Sequence, residues 1–529
     1  IFFKSFSQEI INGNVSYINN DNQTIFLEGV NIYWKNSNTG VISDKNGNFS
    51  ISRIDSTNEL VFKILGFKKD TIEINSSKFY SHKLIPESDQ LNEVIVSKRK
   101  NTIQKSYFKT QNIVNVSSDE LLKAACCNVS ESFETNPSID VNFSNAITGV
   151  KEVKMLGLES PYLMITEENI PMVRGASQVF GLSFVPGPWV ESMQITKGVG
   201  SVVNGFESIS GQINIELKKP IFDEPFFFNL FTSDMGRFEL NFHMNEKINE
   251  KLSSSVFLHA DKNSTTHDDN FDGFLDYPKY KGFNILNRWQ YTDLQNGLVG
   301  FFSFKILKDE KETGEDATSL LVKRMPWLSE INTQRFDTNF KIGYVNPNIP
   351  YQSLGFQFAY SNHDQNSFFG LRNYNIEHKS LYSNLIYNSI IGNTMHKFKS
   401  GFNYSYDDFD ELVDSTKNRF ERIDKSFGAF FEYSYDDLEK LSMIIGLRYD
   451  LHNNLGSFLT PRFHFRYQPM EKSVIRFSVG SGRKSSNIYS ENQEIFSTGR
   501  KIFNKNNLGK FYGLDPEIAW NYGFSFRQG

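Results

Sequence analysis

The stretch Leu441-Ser-Met-Ile-Ile-Gly-Leu-Arg-Tyr-Asp-Leu451 alternates with a period of two. Leu441, Met443, Ile445, Leu447, Tyr449 and Leu451 share one face, and Ser442, Gly446, Arg448 and Asp450 the other. A helix would scatter those apolar groups around its circumference, whereas a β-strand sends successive side chains to opposite faces of its sheet. The register recurs in residues 461–467, where rings alternate with Arg462, His464 and Arg466, and again in 473–479, 427–435 and 240–245. One such strand marks only a half-buried sheet. Strands of about ten residues recurring this often, with Arg, His and Asp on the polar side, point to an antiparallel transmembrane β-barrel with a polar lumen.

Composition supports that choice. With 529 residues, the length prior gives roughly three or four domains unless a large barrel is present. Phe 50 and Tyr 23 raise the aromatic share to 15% while charged residues hold at 22%, a mixture suited to interfacial girdles over a polar lumen. No apolar run reaches the roughly 18 residues that a membrane-spanning helix needs. The formal net charge is -5, with no basic stripe interleaved with rings, so nucleic acid is not an expected partner. The first residues, Ile1-Phe-Phe-Lys, lack an initiator Met, as the tail of a removed signal peptide would, but are too short to establish one.

Upstream of residue 91 short β segments alternate with turns: 15–17, 30–34, 49–51, 60–64 and 71–74, with Asp44-Lys-Asn-Gly47 as a turn that favours positive φ. This predicts a small β-sandwich over 10–90. Next, Glu93-Val94-Ile95-Val96 stands between polar and charged residues. Such an isolated strand can pair with any open sheet edge through its backbone groups, or close the preceding sandwich. Ser-Ser-Asp-Glu-Leu-Leu-Lys from Ser117 predicts a capped helix start. Cys126 and Cys127, the only cysteines, are adjacent and exclude a disulfide framework. Two buried thiols, a strained vicinal disulfide or a soft-metal pair stay open for them.

The string Val190-Glu-Ser-Met-Gln-Ile-Thr-Lys-Gly-Val-Gly-Ser-Val-Val-Asn-Gly205, continuing through Ser210-Gly-Gln-Ile-Asn-Ile215, resembles the closing segment of the plug domain in TonB-dependent outer-membrane receptors. Residues 136–140, 150–157 and 162–171 follow the plug's order, although Met155-Leu156-Gly157 lacks the arginine usual before the central glycine. Gly29-Val-Asn-Ile-Tyr33, residues 40–49 and Leu60-Val-Phe-Lys-Ile-Leu-Gly-Phe67 resemble the carboxypeptidase-regulatory-like domain that precedes many Bacteroidetes receptors of this kind.

The resemblance implies a mainly β architecture: a small N-terminal β-sandwich, an α+β plug, and part of a large antiparallel barrel of about 22 strands when complete. The boundaries would be 10–90 for the sandwich, 91–116 for a coupling segment and linker, 117–220 for the plug and 221–529 for the barrel. Roughly 14 candidate strands fall between residues 226 and 527, so the sequence is expected to stop within the barrel. Glu93, Val94, Ile95 and Val96 resemble a TonB box, the strand that would bind TonB of the TonB-ExbB-ExbD system.

Expected function follows: import across the outer membrane, among its lipids, of a siderophore or other metal chelate. An oligosaccharide or cobalamin importer of the same design, and a non-transporting adhesion barrel, are the alternatives. No nucleophile elbow, His-Glu-x-x-His, phosphate loop or zinc-spaced cysteine pair suggests an enzyme, and no cofactor is required.

The sharpest constellation is Asp268-Asp-Asn-Phe-Asp-Gly-Phe-Leu-Asp276. Asp268, Asn270, Asp272 and Asp276 offer hard oxygen donors around Gly273, close to a calcium loop, though Lys279 replaces the closing Glu of an EF-hand. The competing reading is an acidic, solvated loop tip between barrel strands three and four, on the outward face. His243 and His464 fall on lumen-facing positions, where a histidine either touches a metal complex or simply makes hydrogen bonds. Gly187-Pro188-Trp189 would either touch cargo at the plug apex or fix the turn before the strand at 191–195, and turn chemistry favours the second.

Overall fold

The computed structural model describes residues 10–19, 23–37, 39–54, 57–65, 67–75, 79–86, 103–105, 109–121, 128–133, 140–143, 151–316, 325–414, 418–470, 472–500, 502 and 512–528. The N-terminal unit comprises β1 (Ile10–Ile18), β2 (Thr24–Phe26), β3 (Asn31–Trp34), β4 (Gly40–Ile42), β5 (Asn48–Ser52), β6 (Glu59–Lys63), β7 (Asp70–Glu73) and β8 (Phe79–Lys83). One sheet joins β2, β1 and β5, with β8 parallel to β1; the other runs β4-β3-β6-β7. Between them Trp34, Phe49 and Phe62 are buried with Ile11, Val15 and Leu60, and the Trp34 indole donates to Ser52 O at 2.9 Å. The sandwich is therefore as expected, with β2, β4 and β8 added by pairing that no local alternation announces.

The second unit holds β9 (Ile103–Lys105), β10 (Ile113–Ser117), α1 (Ser118–Leu121), α2 (Val129–Ser132), β11 (Asp140–Phe143), β12 (Lys151–Lys154), β13 (Leu163–Glu167), β14 (Ile170–Val173), β15 (Val190–Lys197) and β16 (Gly211–Leu217). Its sheet runs β14-β13-β16-β15-β10-β9. β10 pairs antiparallel with β15, so the plug's sheet starts upstream of residue 117, inside the stretch read from sequence as linker. The helix expected to start near Ser117 is present over Ser118–Leu121, the last described residues of that stretch.

Fourteen antiparallel strands follow: β17 (Phe226–Thr232), β18 (Arg237–Lys247), β19 (Leu252–Asn263), β20 (Lys279–Asp293), β21 (Leu298–Gly314), β22 (Leu328–Val345), β23 (Ser353–Phe369), β24 (Arg372–Ile391), β25 (Asn393–Val413), β26 (Arg419–Asp436), β27 (Leu441–His452), β28 (Gly456–Met470), β29 (Ser473–Lys484) and β30 (Glu517–Gln528). Each pairs with the next, and among the described residues β17 and β30 are the sheet's edges.

Period two decides which face each residue takes. In β27, Leu447, Tyr449 and Leu451 are about half exposed on the outer face, while Arg448 and Asp450 are wholly buried against the plug. The long connections that leave β19, β21 and β29 start at one end of the strands, and the short turns 248–251, 294–297 and 437–440 lie at the other. Outer-membrane barrels put long loops outside and short turns in the periplasm, which orients the molecule. No helix among the described residues is long and apolar enough to cross a membrane.

Candidate functional site

The plug fills the concave side of the fourteen-stranded wall, and charged wall residues hold it there. Glu168 and Asn169 form the two-residue turn between β13 and β14, both with positive φ (51° and 64°), the conformation that a tight hairpin turn requires. Asn tolerates it; Glu does so at a cost of about 1 kcal/mol. The Glu168 carboxylate is buried between Arg288 of β20 and Lys341 of β22. Burial alone would raise its pKa, but the two cations outweigh it and hold the carboxyl at about 2. Beside it, Lys305 Nζ lies 3.1 Å from Glu167 and 3.6 Å from Asp337. Arg335 donates to Met172 O at 2.7 Å and pairs with Asp337 at 2.8 Å.

On another side the segment 201–207 is clasped. Arg462 donates to Ser201 O at 2.6 Å, Arg448 to Val202 O at 3.3 Å and Asn384 to Val203 O at 3.2 Å, while Ser201 Oγ donates to Glu432 at 2.6 Å. Arg174 of the plug bridges Glu207 and the wall's Asp407, each at 3.1 Å. These wall residues reach inward because each sits on the polar register of its strand.

Toward the long loops an aromatic cluster caps the plug. Phe180 and Phe184 of the plug apex meet Phe369, Tyr374, Ile376 and Phe409 of the wall. The segment 485–500, carrying α3 (Ile488–Glu491), folds over them. Phe496 stacks on Tyr374 at 4.9 Å and on Phe369 at 5.7 Å. Arg422 donates to Ser486 O at 3.0 Å and Arg372 to Thr498 O at 2.8 Å, which ties this segment to the wall. Beneath it a small cavity of about 50 Å³ is lined by Arg174, Gln178, Glu207, Asp407, Lys484 and Glu491. Lys484 pairs with Glu491 at 2.6 Å, and burial pushes the Glu491 carboxyl up despite that partner.

The sequence-derived candidates fare differently. Gly187-Pro188-Trp189 is buried and leads directly into β15, with Trp189 packed on Phe257 of the wall at 5.7 Å, so it fixes a turn and an anchor. His243 is stacked on Phe227 at 4.7 Å with Nε2 2.8 Å from Asp223, and His464 is equally buried under the plug; both brace the interface. Leu156 and Gly157, where the expected arginine is missing, form a tight turn with positive φ at both positions.

Asp268, Asn270, Asp272 and Asp276 do meet in one loop, between the third and fourth strands at the long-loop end. Their oxygens face the loop's own amides: Asp268 accepts from Asp272 N at 3.1 Å and Gly273 N at 2.9 Å, and Asp276 from Asp269 N at 2.6 Å. Among the described residues no three or more His, Cys, Asp or Glu side chains converge as a metal-holding group. Glu93, Val94, Ile95 and Val96, like Cys126 and Cys127, lie outside the described residues.

A family model described as TonB dependent receptor-like, beta-barrel, matches residues 252–529. The chain belongs to the TonB-dependent receptors. The TonB-dependent receptor plug domain matches residues 107–212, and a CarboxypepD_reg-like domain residues 11–96, a span that takes in Glu93 to Val96. A search of curated proteins found no significant match.

Among solved structures the receptor superposes on the siderophore receptor PirA from Acinetobacter baumannii with a TM-score of 0.61 at 13% identity, over 79% of this chain and 68% of that one. The ferric enterobactin receptor from Pseudomonas aeruginosa gives 0.60 at 12%, over 80% and 70%. The copper transporter OprC gives 0.62 at 12%, over 81% and 70%. At such identities these share the fold. The receptor therefore resides in the outer membrane, with family and neighbours that are receptors and transporters.

Proposed function

We propose that this receptor imports a siderophore or another metal chelate, with Glu93, Val94, Ile95 and Val96 as the strand that TonB engages. The aromatic cluster of Phe180, Phe184, Tyr374 and Phe496 at the plug apex carries the reading. Its rings are buried beneath segment 485–500 and would give a planar, ring-bearing complex a stacking surface at the outward end of the lumen once that segment moves aside, with Arg372 and Arg422, now bonded to Thr498 O and Ser486 O, released toward its anionic groups. Cargo binding there would displace the 485–500 segment and loosen Arg174 from Glu207 and Asp407, and TonB, pairing with the coupling strand, would then pull on the plug. The work is mechanical and enters from the inner membrane, so no residue of this chain needs to perform chemistry. In the 268–276 loop, the all-oxygen donor set supports a calcium ion as an accessory, a separate element of the proposal.

Growth of a deletion strain on iron complexes, copper, cobalamin and glycans, each as the limiting nutrient, is the direct test. Loss of growth on an iron or copper chelate alone is expected. Loss on glycans or cobalamin alone would replace the metal-chelate reading with one of its rivals.

A further inference from the structure

A second, larger cavity of about 480 Å³ lies between plug and wall, lined by Gln194, Gln212 and Asn214 of the plug and by Gln357, Asn388 and Lys399 of the wall. Asn388 and Lys399 flank the short turn at Gly392, so the cavity occupies the periplasmic half of the lumen. Its polar lining is amide and hydroxyl, set beside Ile113, Val203 and Ile386, and its charged groups among the described residues are the ammonium groups of Lys109 and of Lys399, the latter 3.8 Å from Glu432. Asn388 Oδ1 is buried there and accepts no hydrogen bond. Ser201, Val203 and Asn204 line this cavity, whereas Glu207, three residues on, lines the small apical one. One short plug segment thus separates the two spaces.

We infer that this inner cavity is a second cargo site, entered when segment 201–207 swings away from the wall, and that it takes a whole hydrogen-bonding solute of neutral or negative charge. The inference rests on the import reading above. A bare divalent cation would meet no carboxylate in the lining, and the nearby Glu432 is already held by Lys399 and Ser201, so metal would pass this point still enclosed in its chelator. A solute rich in hydroxyl, amide or carboxylate groups finds donors and acceptors on both sides. The segment's clasp combines one Ser201 hydroxyl bond and three bonds from Arg462, Arg448 and Asn384 to its carbonyls with the packing of Val202 and Val203 on Phe430 and of Phe206 on Phe458, and it has no buried ion pair of its own before Glu207. It can therefore yield while Glu168, on the other side of the plug, stays locked between Arg288 and Lys341.

A Cβ at Gly446 would stand 3.4 Å from Val202 Cβ, close to the ~3.8 Å a disulfide spans. The test uses full-length receptor in cells, comparing Val202→Cys/Gly446→Cys with Glu168→Cys/Arg288→Cys bridged by a short bismaleimide. Surface binding and energised uptake of labelled ferric enterobactin, ferric citrate, cyanocobalamin and a maltooligosaccharide are read side by side. The oxidised first pair should lose uptake by about tenfold or more relative to its reduced form, recover it with dithiothreitol, and keep surface binding, while the bridged second pair should keep the uptake of its own unbridged form. Lys399→Gln and Asn388→Leu should slow uptake with binding unchanged. Undiminished uptake in the oxidised first pair, or equal loss with the second, overturns the inner site, the latter because the plug would then leave as one body. Uptake confined to cyanocobalamin or the oligosaccharide would refute the metal-chelate reading, while the tethers still decide the inner site.

Discussion

Glu168 shows how much of the plug's seating depends on single side chains. Its carboxylate neutralises two buried cations, so Glu168→Gln leaves Arg288 and Lys341 without their counter-charge and should destabilise the plug–wall contact by roughly 3–5 kcal/mol. Urea titration of the purified receptor, followed by proteolysis of the released plug, measures this. The pair also sets a pH response. Because the folded carboxyl sits at about 2, below the unfolded value of about 4.3, its contribution is complete above pH ~4.3 and fades as pH falls toward 2. Wild-type plug retention should weaken across that window, and Glu168→Gln should flatten this part of the profile; identical profiles would contradict the assignment. At the loop 268–276, calcium should raise the thermal midpoint of wild type and not of Asp272→Ala, and equal shifts would remove the ion.

Individual strands were the most legible level of the sequence. The alternation in 441–451 places Arg448 and Asp450 inward and Leu447 and Tyr449 outward, as β27 does, because a one-residue slip would put every charge into lipid. Leu447→Arg should accordingly destabilise the wall by about 2–4 kcal/mol, read as lower folded yield in the outer membrane, whereas Ser442→Ala on the inner face, which removes a single bond to Thr110, should cost only about 1 kcal/mol. Less was legible where partners are remote. Nothing local marks Glu168 as the mate of residues in two different wall strands, since its neighbours in space are set by the sheet's stagger. The aromatic cap was equally hidden, because Phe496 lies in an irregular segment without period two and joins Tyr374 only through tertiary packing. Phe496→Ala should loosen that segment and raise protease cleavage within 485–500 without unfolding the wall; unchanged cleavage would mean the ring does not pin it.

At the scale of the whole molecule, three units divide the labour: a sandwich at the N-terminus, a plug whose sheet begins before residue 117, and a wall whose long loops face outward. The sandwich and the wall were readable from turn chemistry and from period two, and the plug between them from the resemblance carried by residues 190–215. What joins them was not, since Glu93 to Val96 reads equally as the sandwich's last strand and as a coupling strand, and the carboxypeptidase-regulatory-like match extends across it. Deleting Glu93-Val94-Ile95-Val96 and measuring surface binding and energised uptake of ferric enterobactin and ferric citrate in the same cells tests the coupling claim most directly. The account predicts full surface binding with uptake abolished; uptake at the wild-type rate would contradict it.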